Sequence, residues 1–167
     1  MTTNVTEPLR IEHRELLPHI QQLRTVADCI GELRDLAVET LLDEVLPFLN
    51  GQLLPHARAE EAVLYPAVAI AMGAPDATRT MSRDHLEVEA LIGELSTLRS
   101  QVGSGPIAPE VARDLRRVLY GLYALVKVHF AKEDEVYLPL LDTTLAPAAA
   151  SEILAAMAHV AHQTPAA

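Results

Sequence analysis

Two stretches of this chain read almost alike: His56-Ala-Arg-Ala-Glu60-Glu61 followed by Tyr65-Pro66, and His129-Phe-Ala-Lys-Glu133-Asp134 followed by Leu138-Pro139. Each closes an apolar run of helical period. Leu42, Leu46, Leu49 and Leu53 lead into the first, and Leu115, Leu119, Leu122 and Val126 into the second, at alternating steps of four and three residues. That spacing predicts two long helices whose buried stripes each end in a histidine and a glutamate. A residue four positions after another lies about 40° round a helix and one turn along, so His-x-x-x-Glu aims an imidazole and a carboxylate at one point.

The chain on either side supplies two more helices. Leu9, His13, Leu16, Leu17, Ile20, Leu23, Ala27 and Ile30 share one face, with Gly31 as the stop and a kink expected at Pro18. Met81, His85, Val88, Glu89, Ile92 and Leu95 mark another, between Asp76 as N-cap and the Gly103, Gly105, Pro106 cluster. The second helix is punctuated by Pro47 and Pro55 and ends at Gly73 and Pro75, while the fourth opens near Pro109 and runs to Leu140. Beyond Ala146-Pro147, Ile153, Leu154 and Met157 predict a short amphipathic fifth helix. Strand-like alternation bounded by hairpin turns is absent from the sequence. The expected architecture is all-α: an up-down-up-down four-helix bundle over residues 1–146 with a C-terminal helical extension over 147–167.

Composition narrows the function. Of 167 residues 23 are acidic and 13 basic, and a net charge of −10 repels phosphate backbones, so no nucleic-acid partner is expected. The longest near-apolar stretch, 62–74, carries Pro66 and falls short of the roughly 20 residues that span a bilayer, so no membrane partner is expected. Cys29 is the single cysteine and can form no internal disulfide, which fits a reducing, cytoplasmic setting. A monomer or weak homo-oligomer is expected.

Histidine is the unusual residue, with seven in the chain. Three of them precede a glutamate by four positions: His56 with Glu60, His85 with Glu89, His129 with Glu133. With glutamate at 15 of the 167 positions, about 0.6 such pairs would arise by chance spacing. His13, His56, His85 and His129 each fall on the apolar stripe of a different helix, whereas His19, His159 and His162 are expected to face solvent. Polar ligands delivered from four helices into an aliphatic core need a partner there, and a metal is the partner that satisfies them all. Imidazoles and carboxylates without thiolate suit iron or manganese, with zinc possible. The seven candidate ligands His13, His56, Glu60, His85, Glu89, His129 and Glu133 exceed what one ion needs. Two ions bridged by carboxylates would use them, with Glu60 and Glu133 as equivalent bridges.

The order His13, His56-x-x-x-Glu60, His85, His129-x-x-x-Glu133 resembles the hemerythrin-like, or HHE cation-binding, domain family over roughly residues 8–140. The resemblance implies a non-haem pair of iron ions with an oxo or hydroxo bridge. His13 and His56 would hold one ion, His85 and His129 the other, and Glu60 and Glu133 would bridge them. Oxygen-carrying hemerythrins place a second histidine one turn after the third-helix histidine, where this chain has Glu89. An anionic ligand there would favour Fe(III) and turn the site from oxygen carriage toward peroxide or oxygen chemistry. Those carriers also use an aspartate five residues after the last histidine, the place of Asp134; Glu133 is nevertheless the expected bridge, because Glu60 is its repeat counterpart. Tyr137, one turn past Glu133, could ligate the cluster or donate a hydrogen bond to it, or else pack in the core with its hydroxyl on a buried carboxylate. Glu12 and Glu61 flank ligands but turn about 100° off the stripe, toward solvent or toward the backs of the ligands.

Glu-x-x-His pairs of ferritin-like carboxylate centres and the His-Glu-x-x-His string of metalloproteases are missing. The expected function is therefore a diiron protein reacting with small molecules, namely hydrogen peroxide, oxygen or nitric oxide. Catalase-like peroxide decomposition or related detoxification comes first; a sensor of oxygen, nitric oxide or iron, or an iron store without turnover, is the alternative.

Overall fold

Apolar residues at three- and four-residue steps can bury themselves only by packing helix on helix, and the chain does so throughout. A computed structural model describes residues 4–31, 35–103 and 105–163, and no strand occurs among them. Helix α1 spans Glu7–Cys29 and continues through Pro18. Helix α2 (35–72) is a continuous helical run in which Asp35–Phe48, Leu54–Ala59 and Tyr65–Met72 are α-helical and Leu49–Leu53 and Glu60–Leu64 are single π turns. Helix α3 is Arg79–Arg99. Helix α4 (109–144) joins Pro109–Lys132 and Leu138–Thr144 through a π turn at Glu133–Tyr137. Helix α5, Pro147–Gln163, follows. The last four residues of the expected 147–167 extension lie outside the described residues.

Two boundaries have clear causes. Gly73 ends α2 at φ +61°, a left-handed conformation that glycine adopts without Cβ strain. Asp76 is not the N-cap of α3: the cap position belongs to Thr78, and Asp76 offers only its backbone carbonyl to the Arg79 N–H.

The core is divided along the bundle axis. One apolar cluster gathers Ile20, Leu23, Leu42, Leu49, Ile92, Leu95, Leu115, Leu119 and Leu122 from all four long helices. A second gathers Leu9, Leu64, Val68, Met81, Leu138 and Leu141 near the other end, and α5 closes it with Met157, Ile153 and Leu154. His13, His56, Glu60, His129 and Glu133 are buried in the level between the two.

Candidate metal centre

Antiparallel packing explains how sequence-distant ligands meet. His13 and His85 stand in the second turn of α1 and α3, while His56 and His129 stand just past the middle of the longer α2 and α4, and all four reach the same level of the bundle.

Prolines tune the backbone there. A proline inside a helix cannot donate to the carbonyl four residues back, and its ring crowds that carbonyl. Each π turn precedes such a proline: Leu49–Leu53 before Pro55, Glu60–Leu64 before Pro66, and Glu133–Tyr137 before Pro139. The amide of Tyr65 instead donates five residues back to the Glu60 carbonyl, and that of Leu138 to the Glu133 carbonyl. A wider turn brings residue i+5 to about the place that i+4 would hold in an α-helix. Tyr65 is thereby turned inward, and Tyr137 is turned away.

The centre is arranged around Glu60, whose side chain is fully buried. Its Oε1 lies 2.9 Å from His56 Nε2 and 3.6 Å from His13 Nε2; its Oε2 lies 3.2 Å from His85 Nε2 and 4.0 Å from His129 Nε2. Glu133 spans the same two halves, with Oε2 3.4 Å from His13 Nε2 and Oε1 3.4 Å from His129 Nε2. Tyr65 donates its hydroxyl to Glu133 Oε1 at 2.8 Å and lies 3.3 Å and 3.2 Å from the Nε2 atoms of His85 and His129. The donor atoms fall into two groups, His13, His56, Glu60, Glu133 and Glu60, His85, His129, each with its atoms within 4.8 Å of one another.

Every imidazole is held from behind by a carboxylate on Nδ1: Asp134 for His13 at 2.8 Å, Glu12 for His56 at 3.0 Å, Glu61 for His85 at 2.8 Å and Asp84 for His129 at 3.1 Å. These acids occupy repeated places, one before His13 and His85, one after Glu60 and Glu133. Asp84 also pairs with the Lys132 ammonium, and Glu61 accepts from Ser82 Oγ at 2.8 Å. An imidazole that gives its Nδ1–H to a carboxylate presents a lone pair at Nε2, the tautomer a metal ligand needs.

Those lone pairs are left unanswered by the protein. His13 Nε2, His56 Nε2, both oxygens of Glu60 and Glu133 Oε2 are buried with no hydrogen-bond partner, and the Nε2 atoms of His85 and His129 face one another at 2.9 Å. Buried acceptors aimed at acceptors call for a positive charge between them. Protons are one answer. Burial alone would lower the pKa of His13, but its hydrogen bond to Asp134 and the nearby Glu60 carboxylate raise it to about 9. Burial likewise opposes charge on His56, and the Glu60 and Glu12 carboxylates outweigh it, raising its pKa well above the usual imidazole value. A divalent or trivalent cation is the other answer, and the donor set of neutral imidazole nitrogens and carboxylates fits iron-group ions.

Two expectations change at this level. Glu89 is not brought to the centre: its side chain is 58% exposed and its carboxylate lies 3.5 Å from the Arg58 guanidinium. The buried stripe of α3 runs through Met81, Val88, Ile92 and Leu95, and Glu89 lies on the other flank of His85 from Val88. Tyr137 bonds the Ala77 carbonyl at 3.3 Å and packs with the second apolar cluster. Asp134 stands behind His13, and Glu133 holds the central position expected of it. Sequence reasoning missed Tyr65 and Asp84; the prolines at positions 66 and 139 were the available signal for the first, and the acidic neighbour shared by His13 and His85 for the second. His19, His159 and His162 are exposed, with His19 stacked on Phe48.

Comparison with known protein families gives one match over most of the chain: the model of the hemerythrin HHE cation binding domain matches residues 4–141. Neither the search of curated proteins nor that of solved structures gives a match.

Proposed function

This chain belongs to the hemerythrin HHE cation-binding domain family, and we propose that the cation it binds is a pair of iron ions that react with a small oxidant, hydrogen peroxide before oxygen or nitric oxide. The observation that carries the reading is the pair of donor groups sharing Glu60, each oxygen of which faces a different pair of histidines. His13 and His56 would hold one ion and His85 and His129 the other, with Glu60 and Glu133 spanning both. The iron pair, when bound, supplies redox change and Lewis acidity at positions the protein leaves open.

The chain's own residues do the rest. The four Nδ1 carboxylates fix ring orientation and raise ligand basicity. Phe130 stacks on His13 with centroids 4.3 Å apart and sets its edge against His56, keeping water from that half. The Tyr65 hydroxyl holds a proton at Glu133 Oε1, within reach of both the His85 and His129 nitrogens. Burial and the neighbouring Glu60 and Glu133 charges push the Tyr65 pKa up, so in the metal-free site it stays a donor. Glu89, at the surface, supplies no extra anionic ligand to the centre. Peroxide comes first on stoichiometry: in 2 H2O2 → 2 H2O + O2 one molecule is oxidised and the other reduced, so the cycle closes without an electron donor.

Elemental analysis of protein produced with ample iron, followed by optical spectra and oxygen evolution on peroxide addition, tests this. Two irons per chain and evolved oxygen are expected. One zinc without iron overturns the iron-pair reading, and full iron with no oxygen evolved overturns the peroxide reading.

A further inference from the structure

The two halves of the bundle repeat their ligands but not their packing. The repeat pairs His13 with His85, His56 with His129 and Glu60 with Glu133, so the position after the second histidine is Ala57 in one half and Phe130 in the other. Phe130 covers His13, with ring planes 7° apart, and the His13 side chain is only 1% exposed. Ala57 offers only a methyl and lines the same cleft as His85, whose side chain is 11% exposed, against 4% for His56 and 4% for His129. That cleft, of about 350 Å³, lies between α2 and α3 and is lined also by Leu54 and Leu86, by Glu61 and Ser82, and by the Arg58–Glu89 pair.

We propose that this cleft is the path by which a small reactant reaches the centre, that it delivers to the His85–His129 half, and that Ala57 is the residue that keeps it open. The lining suits a small neutral reactant that can hydrogen-bond: carbon from Leu54, Ala57 and Leu86 beside the Glu61 carboxylate, the Ser82 hydroxyl and the imidazole of His85. Glu89 thereby acquires a place, at the rim of the path rather than at the metal. The competing clefts beneath α5, of about 420 and 320 Å³, reach His56, whose side chain is 4% exposed against 11% for His85. What is delivered to depends on the iron-pair reading; the path itself does not, and the test separates the two.

In the metal-free chain, modification of histidines by diethyl pyrocarbonate, mapped by mass spectrometry, reads access directly. His85 should react faster than His13, His56 and His129. Ala57→Phe, which copies the Phe130 arrangement, and Leu86→Trp at the exposed wall should each slow His85 about tenfold, as closing a gate does. In the iron-loaded chain the same two variants should slow azide binding by a similar factor in stopped flow, with iron content unchanged. Ala158→Trp, beneath α5, should slow neither. Unchanged rates in both Ala57→Phe and Leu86→Trp, or slowing by Ala158→Trp instead, would overturn the path. Absence of iron would sink the iron-pair reading while the pyrocarbonate rates still decide the cleft.

Discussion

Replacing Glu60 by glutamine keeps the shape of the side chain and removes its charge and one of its two acceptor oxygens. In the metal-free protein, burial works against ionisation of Glu60, yet the positive charge of His56 and the nearby His13 and His85 imidazoles hold its pKa well below the usual carboxylate range. Removing one partner of such a buried charge set costs about 3–5 kcal/mol. For a chain of this size each kcal/mol moves the melting temperature by about 2–4 °C, so Glu60→Gln should melt about 6–20 °C lower than the parent. Metal adds to the gap: a cation at a hundred times its dissociation constant stabilises the parent by about 2.7 kcal/mol, which the variant loses as far as it no longer binds. Glu89→Gln is the contrast, since an exposed pair 3.5 Å from Arg58 contributes about 0–1 kcal/mol. Calorimetry with and without Fe(II) under anaerobic conditions, with iron content measured alongside, reads both. If Glu60→Gln melts within about 2 °C of the parent in both states and keeps its iron, the central role given to Glu60 is wrong.

Four further outcomes are expected. Asp134→Asn and Glu61→Gln, which loosen His13 and His85 from behind, should weaken metal binding about 10–100-fold in a competitive chelator titration without unfolding the chain. Tyr65→Phe should destabilise the metal-free protein by about 1–3 kcal/mol in denaturant unfolding, because Glu133 loses a buried donor, whereas Tyr137→Phe should change little. His13 has a folded pKa of about 9, above its unfolded value, so its stabilising effect is complete below about 6.5 and lost as pH rises through 9. Melting temperatures of the metal-free protein should fall across that window, while metal affinity, which competes with those protons, should rise. Elemental analysis should show metal lost from His56→Ala and His129→Ala but kept in His19→Ala and His162→Ala; equal loss in both pairs would contradict the helical phasing.

The sequence by itself determined the helices and the faces they bury. Apolar steps of three and four over 9–30, 42–64, 81–95 and 115–140 admit little but amphipathic helix, and on those faces His13, His56, Glu60, His85, His129 and Glu133 are the polar intruders. Periodicity is a property of one helix, so it could be read without knowing the neighbours. What stands opposite a side chain is a property of two helices, and only the tertiary structure decided it. Glu89 and Glu60 each follow a histidine by four residues, yet α3 presents its flank with Glu89 to solvent while α2 presents Glu60 to three other helices. Glu12, Glu61, Asp84 and Asp134 all point off the stripe, and each meets an imidazole only because a neighbouring helix brings that ring alongside. The exchange of Tyr137 for Tyr65 has a more local cause. An extra residue in a turn shifts everything after it by about 100°, and the π turns at Glu60 and Glu133 do so beside the ligands themselves. Alanine at 57 where its repeat counterpart is phenylalanine at 130 is visible in the sequence as two letters, but that one lines a cleft beside His85 and the other stacks on His13 depends on the helix packed across from each.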